Sequence, residues 1–598
     1  MASLAEACAP FGGDVFRKYL HVIKDEIRGS RGKLLASFLR LAGSVFQLLT
    51  GPEALSFAAS IISRVIQESS SHDELIKRTI ISVVKKIVTT EGATAEFVKK
   101  EIVPSLMQNL WNRRNVLDRK LSRSLIETTL AFAGKVGSST ILKYLSNFLH
   151  DSLSVMRSMA LEASSSILSL YGLEDVNDRL EEKLIDGYLF TLLESDEDTM
   201  ILTKYFGVGL SAFGVRASRY LYQFSEILID LMAHKSSRVR TSSAKVLSTV
   251  AQLFIQCDCG QDLKRLSMVF FECLSEEYPD VLAAVLHACL ACLEVLGAEE
   301  LRPEPAEFIL KMSNILRNKQ EDVQFAVASL ISSIAQKAPD SASPKEWLRI
   351  VFELIENLSS SRKNVRKSAI AAIGSIAQAI GPSDVLLTLL NNLRVQERQN
   401  RLATTLAVAV VADTCGPFTV LPALFVEYKT PSLNIQNGVL KAISYICEYM
   451  AEKCRDYVYA LVPLLQDALI DADLVHRQTA CTAVRHLAYG VVGHSAEDAL
   501  LHLLNYIWPN ILEPSIPMIV SFIDAIEALR VGLGPGTLLL YTLQGLFFSA
   551  RKVRERYCGV YNMLRIGSED VLPAFYPTIV DDDRNGNIYS LPEHDLII

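Results

Sequence analysis

Turn-forming residues are scarce in this chain, with 29 glycines and 20 prolines spread through 598 positions. That scarcity excludes a fold of many short strands joined by tight turns and favours long helices. Aromatic residues make up only 8% while half the residues are apolar. There is no excess of positive charge: the net charge of -7 excludes a bulk polycation that coats nucleic acid, so any such contact must be local. The opening MASLAEACAPFGG lacks a basic segment and an apolar core. Apolar runs such as LAVAVVA at 406–412 read as too short to span a bilayer, so no membrane partner is expected. The 11 cysteines are scattered, without the spacing of a disulfide framework, which suits a reducing compartment. Cys289 and Cys292 form one CxxC inside an apolar helical stretch and read as core thiols; Cys257 and Cys259 are equally without a matching pair.

Catalytic signatures are also missing. The chain contains no GxxxxGK[ST], HExxH or GxSxG, and His486, His494 and His502 straddle a glycine-containing break without cysteines at ligand spacing. The acidic run at 581–584 lacks the register of a calcium loop and reads as a solvated turn. No enzyme activity, metal or cofactor is expected.

What is present is a repeat. SSRVRTSSAKVLSTVA, YPDVLAAVLHACLACL, QEDVQFAVASLISSIA and RKNVRKSAIAAIGSIA place Val239, Val281, Val323 and Val365 at successive intervals of 42 residues. Val155 stands two periods upstream, and Ile435, Val475 and Val553 open weaker echoes downstream. A period in the low forties with two amphipathic helices per unit predicts an all-α fold, an α-solenoid of HEAT repeats. Roughly fourteen units would fill 1–598 as one continuous array, with a tail over 575–598. One helix pair cannot bury its apolar face alone, so neighbours must stack. Asp280, Asp322 and Asp473 are expected to cap second helices, and Arg157, Arg240, Arg366, Arg477 and Arg554 to form a ladder against carboxylates of the adjoining repeat.

One segment stands apart. In LLNNLRVQERQNR, Arg394, Arg398 and Arg401 are spaced by four and three, which predicts a cationic stripe on one helix face, partly offset by Glu397 and flanked by Asn391, Asn392, Gln396, Gln399 and Asn400. A solvated helix face accounts for this equally well. NIQNGVLK at 434–441 and DLVHRQTA at 473–480 would extend it into a polar strip carrying Lys441, His476 and Arg477, able to grip phosphates beside apolar residues.

Longer phrases carry a resemblance: FRKYLHVIKDEIRGSRGK, LEEKLIDG, EWLRIVFELIE, IGPSDVLLTLLNNLRVQERQNR, CGPFTVLPALFVEY, LLNYIWPNI and GLFFSARKVRERY. Across nearly its whole length the chain resembles the HEAT-repeat domain of the largest subunit of splicing factor 3b, a component of the U2 snRNP. The resemblance implies a nuclear, spliceosomal scaffold that curls around the duplex of U2 snRNA and the intron branch site and leaves catalysis to RNA. It implies partners within splicing factor 3b: a small zinc-containing PHD-finger-like subunit, which helps form the pocket for the bulged branch-point adenosine, and a β-propeller subunit. Carried onto this sequence, Leu390, Arg394, Arg398 and Arg401 lie at or near the pocket, with Val439 and Lys441 on the facing repeat. Leu402 and Ile435 stand where the family usually has valine, which keeps the wall apolar but alters its shape. Lys24 matches a basic, RNA-facing position. Family members carry a long N-terminal extension and further repeats, so this array starts partway, as in an abbreviated protein or a fragment, with an exposed apolar first end expected. A nuclear-transport receptor or a phosphatase scaffold is the rival reading, because both use HEAT solenoids.

Overall fold

The computed structural model describes residues 17–566, apart from 47–48, 50, 72, 91–92, 195–198 and 395–397. The acidic run at 581–584, the tail at 575–598, Gln396 and Glu397 therefore lie outside the described residues. The chain divides into two compact units, Met1–Glu304 and Pro305–Ile598. Among the described residues each unit holds seven helix pairs and no strand. The second helices of the first unit are α1 (Gly32–Phe46), α2 (Glu74–Thr89), α3 (Arg119–Val136), α4 (Ser154–Tyr171), α5 (Thr199–Ala212), α6 (Ser237–Gln256) and α7 (Pro279–Leu296). Those of the second unit are α8 (Glu321–Lys337), α9 (Lys363–Ile380), α10 (Arg398–Cys415), α11 (Leu433–Met450), α12 (Leu474–Gly490), α13 (Ile516–Leu533) and α14 (Arg551–Arg565). Within a unit each second helix packs on the second helix of the next pair, and the first helices form the other layer. Each unit is an α-solenoid of HEAT repeats.

The periodic valines are interior anchors: Val239, Val281, Val323 and Val365 are all buried. Two echoes need a one-residue correction. Val155 is 39% exposed and Val475 57% exposed, while Met156 and His476 take the buried anchor positions. Ile435 is buried and Val553 half-buried, as expected of anchors.

Glycine–proline pairs set several junctions. Gly381, Gly416 and Gly534 adopt φ near +90° (92°, 91° and 82°), a region closed to most L-residues. Pro382, Pro417 and Pro535 then begin the next first helix, where the missing N–H costs nothing. Between α11 and the helix Val458–Leu469 a 3₁₀ segment, Ala451–Tyr457, replaces that device. It starts at Ala451 with φ 41°. A side chain on Gly490 would come within 2.6 Å of the Ala451 carbonyl oxygen, so α12 reaches this turn only as glycine.

Aromatic rings link two successive pairs in the first unit: Tyr188 meets Phe206 within one pair, Phe206 meets Phe224 across to the next, and Phe224 meets Phe254 within that one, with centroids 6.2, 5.5 and 6.3 Å apart. Helix α7 corrects the reading of the apolar runs, being long and apolar enough to cross a membrane. A second helix packed between neighbouring pairs is buried over most of its circumference, so apolar residues spread around it. Within it Cys289 and Cys292 are buried core thiols, and burial pushes the Cys292 thiol up to about 12. At the start of the first unit Tyr19, Val22 and Leu34 are exposed.

The arginine ladder exists, with different acceptors. Arg240 grips Glu276 with two hydrogen bonds of 3.0 and 3.1 Å and also donates to the carbonyls of His234 and Lys235. Arg477 donates to Glu513 at 2.7 Å and to Asn510 at 2.9 Å. Arg157, Arg366 and Arg554 donate instead to carbonyls five and six residues back, in the turn joining their own helix pair. Arg157 also reaches the Glu194 carbonyl of the following pair. Carbonyls at helix ends lack intrahelical donors, so a guanidinium there satisfies them whether or not a carboxylate is near. Of the three expected caps only Asp473 is one, accepting from the His476 N–H at 3.1 Å. Asp280 and Asp322 sit inside the first turn, where negative charge still favours the helix dipole.

Candidate nucleic-acid interface

The candidate residues of the second unit cluster where three helix pairs meet. The helix Pro382–Asn392 ends before Arg394, which lies in a turn, and α10 is described from Arg398. The three arginines therefore do not share one helix face. Arg394 lies in the turn and pairs with Glu427 of the next first helix at 3.1 Å. Sequence spacing suggested continuity because no proline or glycine marks this break.

Arg398 and Arg401 stand in the first turn of α10, together with Leu402, which is 44% exposed. Cations at a helix N-terminus oppose the positive end of the dipole and cost about 0.3–1 kcal/mol each when exposed. The first turns of α10, of α9, which begins at Lys363, and of α14, which begins at Arg551 and Lys552, contain no acidic residue, and Glu555 one turn further on pairs with Arg551 at 2.9 Å. The positive end of a helix dipole beside arginine and lysine is an arrangement suited to phosphate.

The apolar candidates are packed inside. Leu390, Ile435 and Val439 are buried, so Leu402 alone among the four apolar candidates offers its side chain to solvent. Gly438 lies against Leu393, 3.6 Å from where a side chain would begin, which seats α11 on the end of the helix Pro382–Asn392. Lys441 is half-buried, with its ammonium 4.9 Å from the centre of the Tyr445 ring. Burial lowers its pKa, and Glu448 partly opposes that. The Tyr445 partnership escaped the sequence reading, although its signal was present: an aromatic four residues after a lysine shares its helix face.

The supposed polar strip is internal. His476 is 1% exposed and is held between Tyr428 Oη at 2.8 Å and Asn437 Oδ1 at 2.6 Å. Gln436 donates to the Tyr428 carbonyl at 3.1 Å, and Gln399 to the Ser360 carbonyl at 3.1 Å. Asn392 donates to Thr404 at 2.7 Å. Gln399 and Asn437 join neighbouring pairs, Asn392 and Gln436 join the two helices of their own pairs, and Arg477 is occupied by Glu513, so neither His476 nor Arg477 faces a ligand. What faces solvent is a smaller set: Arg394, Arg398 and Leu402, with Arg401 and Lys441 half-exposed. A cavity of about 430 Å³ lies at the opposite end of α10 and α11, lined by Asp413, Met450, Lys453, Arg455 and Tyr457 among others, and includes none of the candidates. Lys24 is half-buried on the helix Leu20–Gly29 of the first unit.

Residues 378–454 match a family described as PPP2R1A-like HEAT repeat. Among solved structures, Kap121p bound to Ste12p superposes with a TM-score of 0.52 at 14% identity, covering 95% of this chain and 67% of that one. Kap121p bound to Pho4p gives 0.50 at 15% identity, covering 93% and 66%. These likenesses establish the fold alone. Sequence relatives are nearer. The U2 snRNP component prp10 of Schizosaccharomyces pombe is 39% identical over 585 residues, 98% of this chain and 48% of the relative. The U2 snRNP component HSH155 of Saccharomyces cerevisiae is 39% identical over 585 residues, 98% of this chain and 60% of the relative. The chain thus spans about half to three-fifths of the length of these relatives, and over that span it belongs to the HEAT-repeat family of U2 snRNP components that prp10 and HSH155 represent.

Proposed function

We propose that this chain is a non-catalytic spliceosomal scaffold that holds the duplex of U2 snRNA and the intron branch site and contributes to the pocket for the bulged branch-point adenosine. The observation that carries this reading is the 39% identity to U2 snRNP components across 98% of the chain. Two cations at the N-terminus of α10, with exposed Leu402 beside them, are consistent with it: phosphates take the cations and an extruded base takes the apolar surface. In this reading Arg394, Arg398, Arg401 and Lys441 hold the backbone. Leu390, Leu402, Ile435 and Val439 form the apolar side, three of them becoming accessible only when the pairs around α10 and α11 part. Lys24 contacts RNA separately. The chain acts in the nucleus as one HEAT array, with a zinc-containing PHD-finger-like subunit completing the pocket and a β-propeller subunit as a further partner.

The test is binding of the full chain, with and without the small zinc subunit, to a short RNA duplex carrying one bulged adenosine and to its fully paired counterpart. The bulged duplex is expected to bind more tightly. R398Q/R401Q is expected to flatten the salt dependence by about two phosphate contacts. Equal binding of both duplexes, or recovery of the native protein with a GTPase or phosphatase subunit and without small nuclear RNA, overturns the reading.

A further inference from the structure

Helices α1 and α2 of the first unit approach closely because Gly43 has no side chain; one there would meet Val83 at 3.2 Å and Lys86 at 3.3 Å. Where they meet is a cavity of about 310 Å³, lined chiefly by Arg40, Ser44, Arg78, Thr79, Ser82 and Lys86. Three of these are cations and three are hydroxyls, and no carboxylate lines the cavity. Arg78 is committed elsewhere, to Asp118 at 2.8 Å and Glu74 at 3.5 Å. Arg40 and Lys86 have no carboxylate partner among the described residues, and Lys86 has only the Ser44 hydroxyl at 3.4 Å. Each comes from a different helix, and Lys86 is half-buried. Two like charges converging on a cavity with free-facing Ser82 beside them lack an internal counter-ion, and an anion with several acceptor oxygens supplies one.

We propose that this cavity binds a phosphodiester of an RNA backbone, with Arg40 and Lys86 pairing to its non-bridging oxygens and Ser82 donating a hydrogen bond. The proposal rests on the RNA-binding reading above and adds to it a sequence-independent contact in the first unit, since phosphate contacts position a strand without reading its bases. The second-helix layer supplies both cations, as it does at α10 in the second unit.

The test titrates the full chain with fluorescein-labelled single-stranded RNA over a range of salt concentrations. Losing two phosphate contacts makes the slope of log K against log salt shallower by about 1.4 and weakens binding about 25-fold near 0.1 M salt. R40Q/K86Q is expected to show both effects, and R40K/K86R to retain wild-type behaviour. Where R40Q/K86Q fails to fold, the exposed single change R40Q carries the test, with a slope change of about 0.7. Wild-type chain that binds no RNA overturns the wider reading as well. Wild-type binding that R40Q/K86Q leaves unchanged overturns this site alone. A variant that keeps RNA but loses a glutamate-rich peptide assigns the cavity to a protein partner and also overturns it.

Discussion

Removing the Arg240 side chain should cost far more than removing its repeat equivalent Arg366, although the sequence makes the two look alike. Arg240 is 12% exposed and Glu276 17% exposed, and the guanidinium supplies two bonds to the carboxylate and two to turn carbonyls. In R240A the carboxylate is left with little solvent and no cation. Breaking a buried pair from one side costs about 3–5 kcal/mol, and the residual exposure places this case at about 3. Arg366 donates to the Ser360 and Ser361 carbonyls, which sit near solvent, so R366A should cost about 1 kcal/mol. Whole-chain melting is a poor readout because long repeat arrays do not unfold in two states. Native-state hydrogen exchange reports each region separately. Amides of α6 should exchange roughly 150-fold faster in R240A, and those of α9 about fivefold faster in R366A, at about 1.4 kcal/mol per tenfold. Adding E276A to R240A should recover part of the loss, because the orphaned carboxylate disappears. Equal effects of R240A and R366A, or no recovery in the double variant, would refute the assignment of the cost to Glu276.

Other consequences are open to measurement. G490A should lower local stability around α12 by about 2–3 kcal/mol in native-state hydrogen exchange, since its side chain would strike backbone and not a movable side chain. A451G, at φ 41°, should stabilise the same turn by about 1 kcal/mol. Burial lowers the pKa of His476 below its ordinary 6.5, with Asp471 and Asp473 opposing. The unfolded chain therefore binds the proton more readily, and stability is full above pH 6.5 and lost as pH falls below it. H476Q should remove part of that acid dependence in a stability-versus-pH series; His486, which burial also lowers, contributes in the same direction. An unchanged profile would show that the Tyr428–His476–Asn437 contacts do not control it.

The repeat was legible because its cause is local: a pair of helices of fixed length returns a buried anchor to the same place every 42 residues. Anchors went astray by one position at Val155 and Val475. A valine looks like the core residue, whereas Met156 and His476 point inward because they immediately precede the ladder arginine, as Val239 does. Burial of a histidine depends on Tyr428 and Asn437, which come from other helices, and no spacing rule anticipates that. The break after Asn392 was hidden for a similar reason: the turn at Arg394 makes tertiary contact with Glu427 and contains neither proline nor glycine at its described positions. The proposed site rests on long irregular phrases, while the depth at which Leu390, Ile435 and Val439 are packed was visible only in three dimensions.

Three of the five ladder arginines point forward along the chain, and so does Arg394. Arg157, Arg240, Arg394 and Arg477 each reach an acceptor in the pair that follows, at Glu194, Glu276, Glu427 and Glu513. During synthesis the amino end emerges first, so each of these guanidiniums waits for roughly one further repeat to leave the ribosome before its acceptor exists. Nascent chains halted partway should therefore leave their most recent pair loosely docked, and a polyanion or a chaperone in the cell has its best opportunity to engage that pair before the next one arrives.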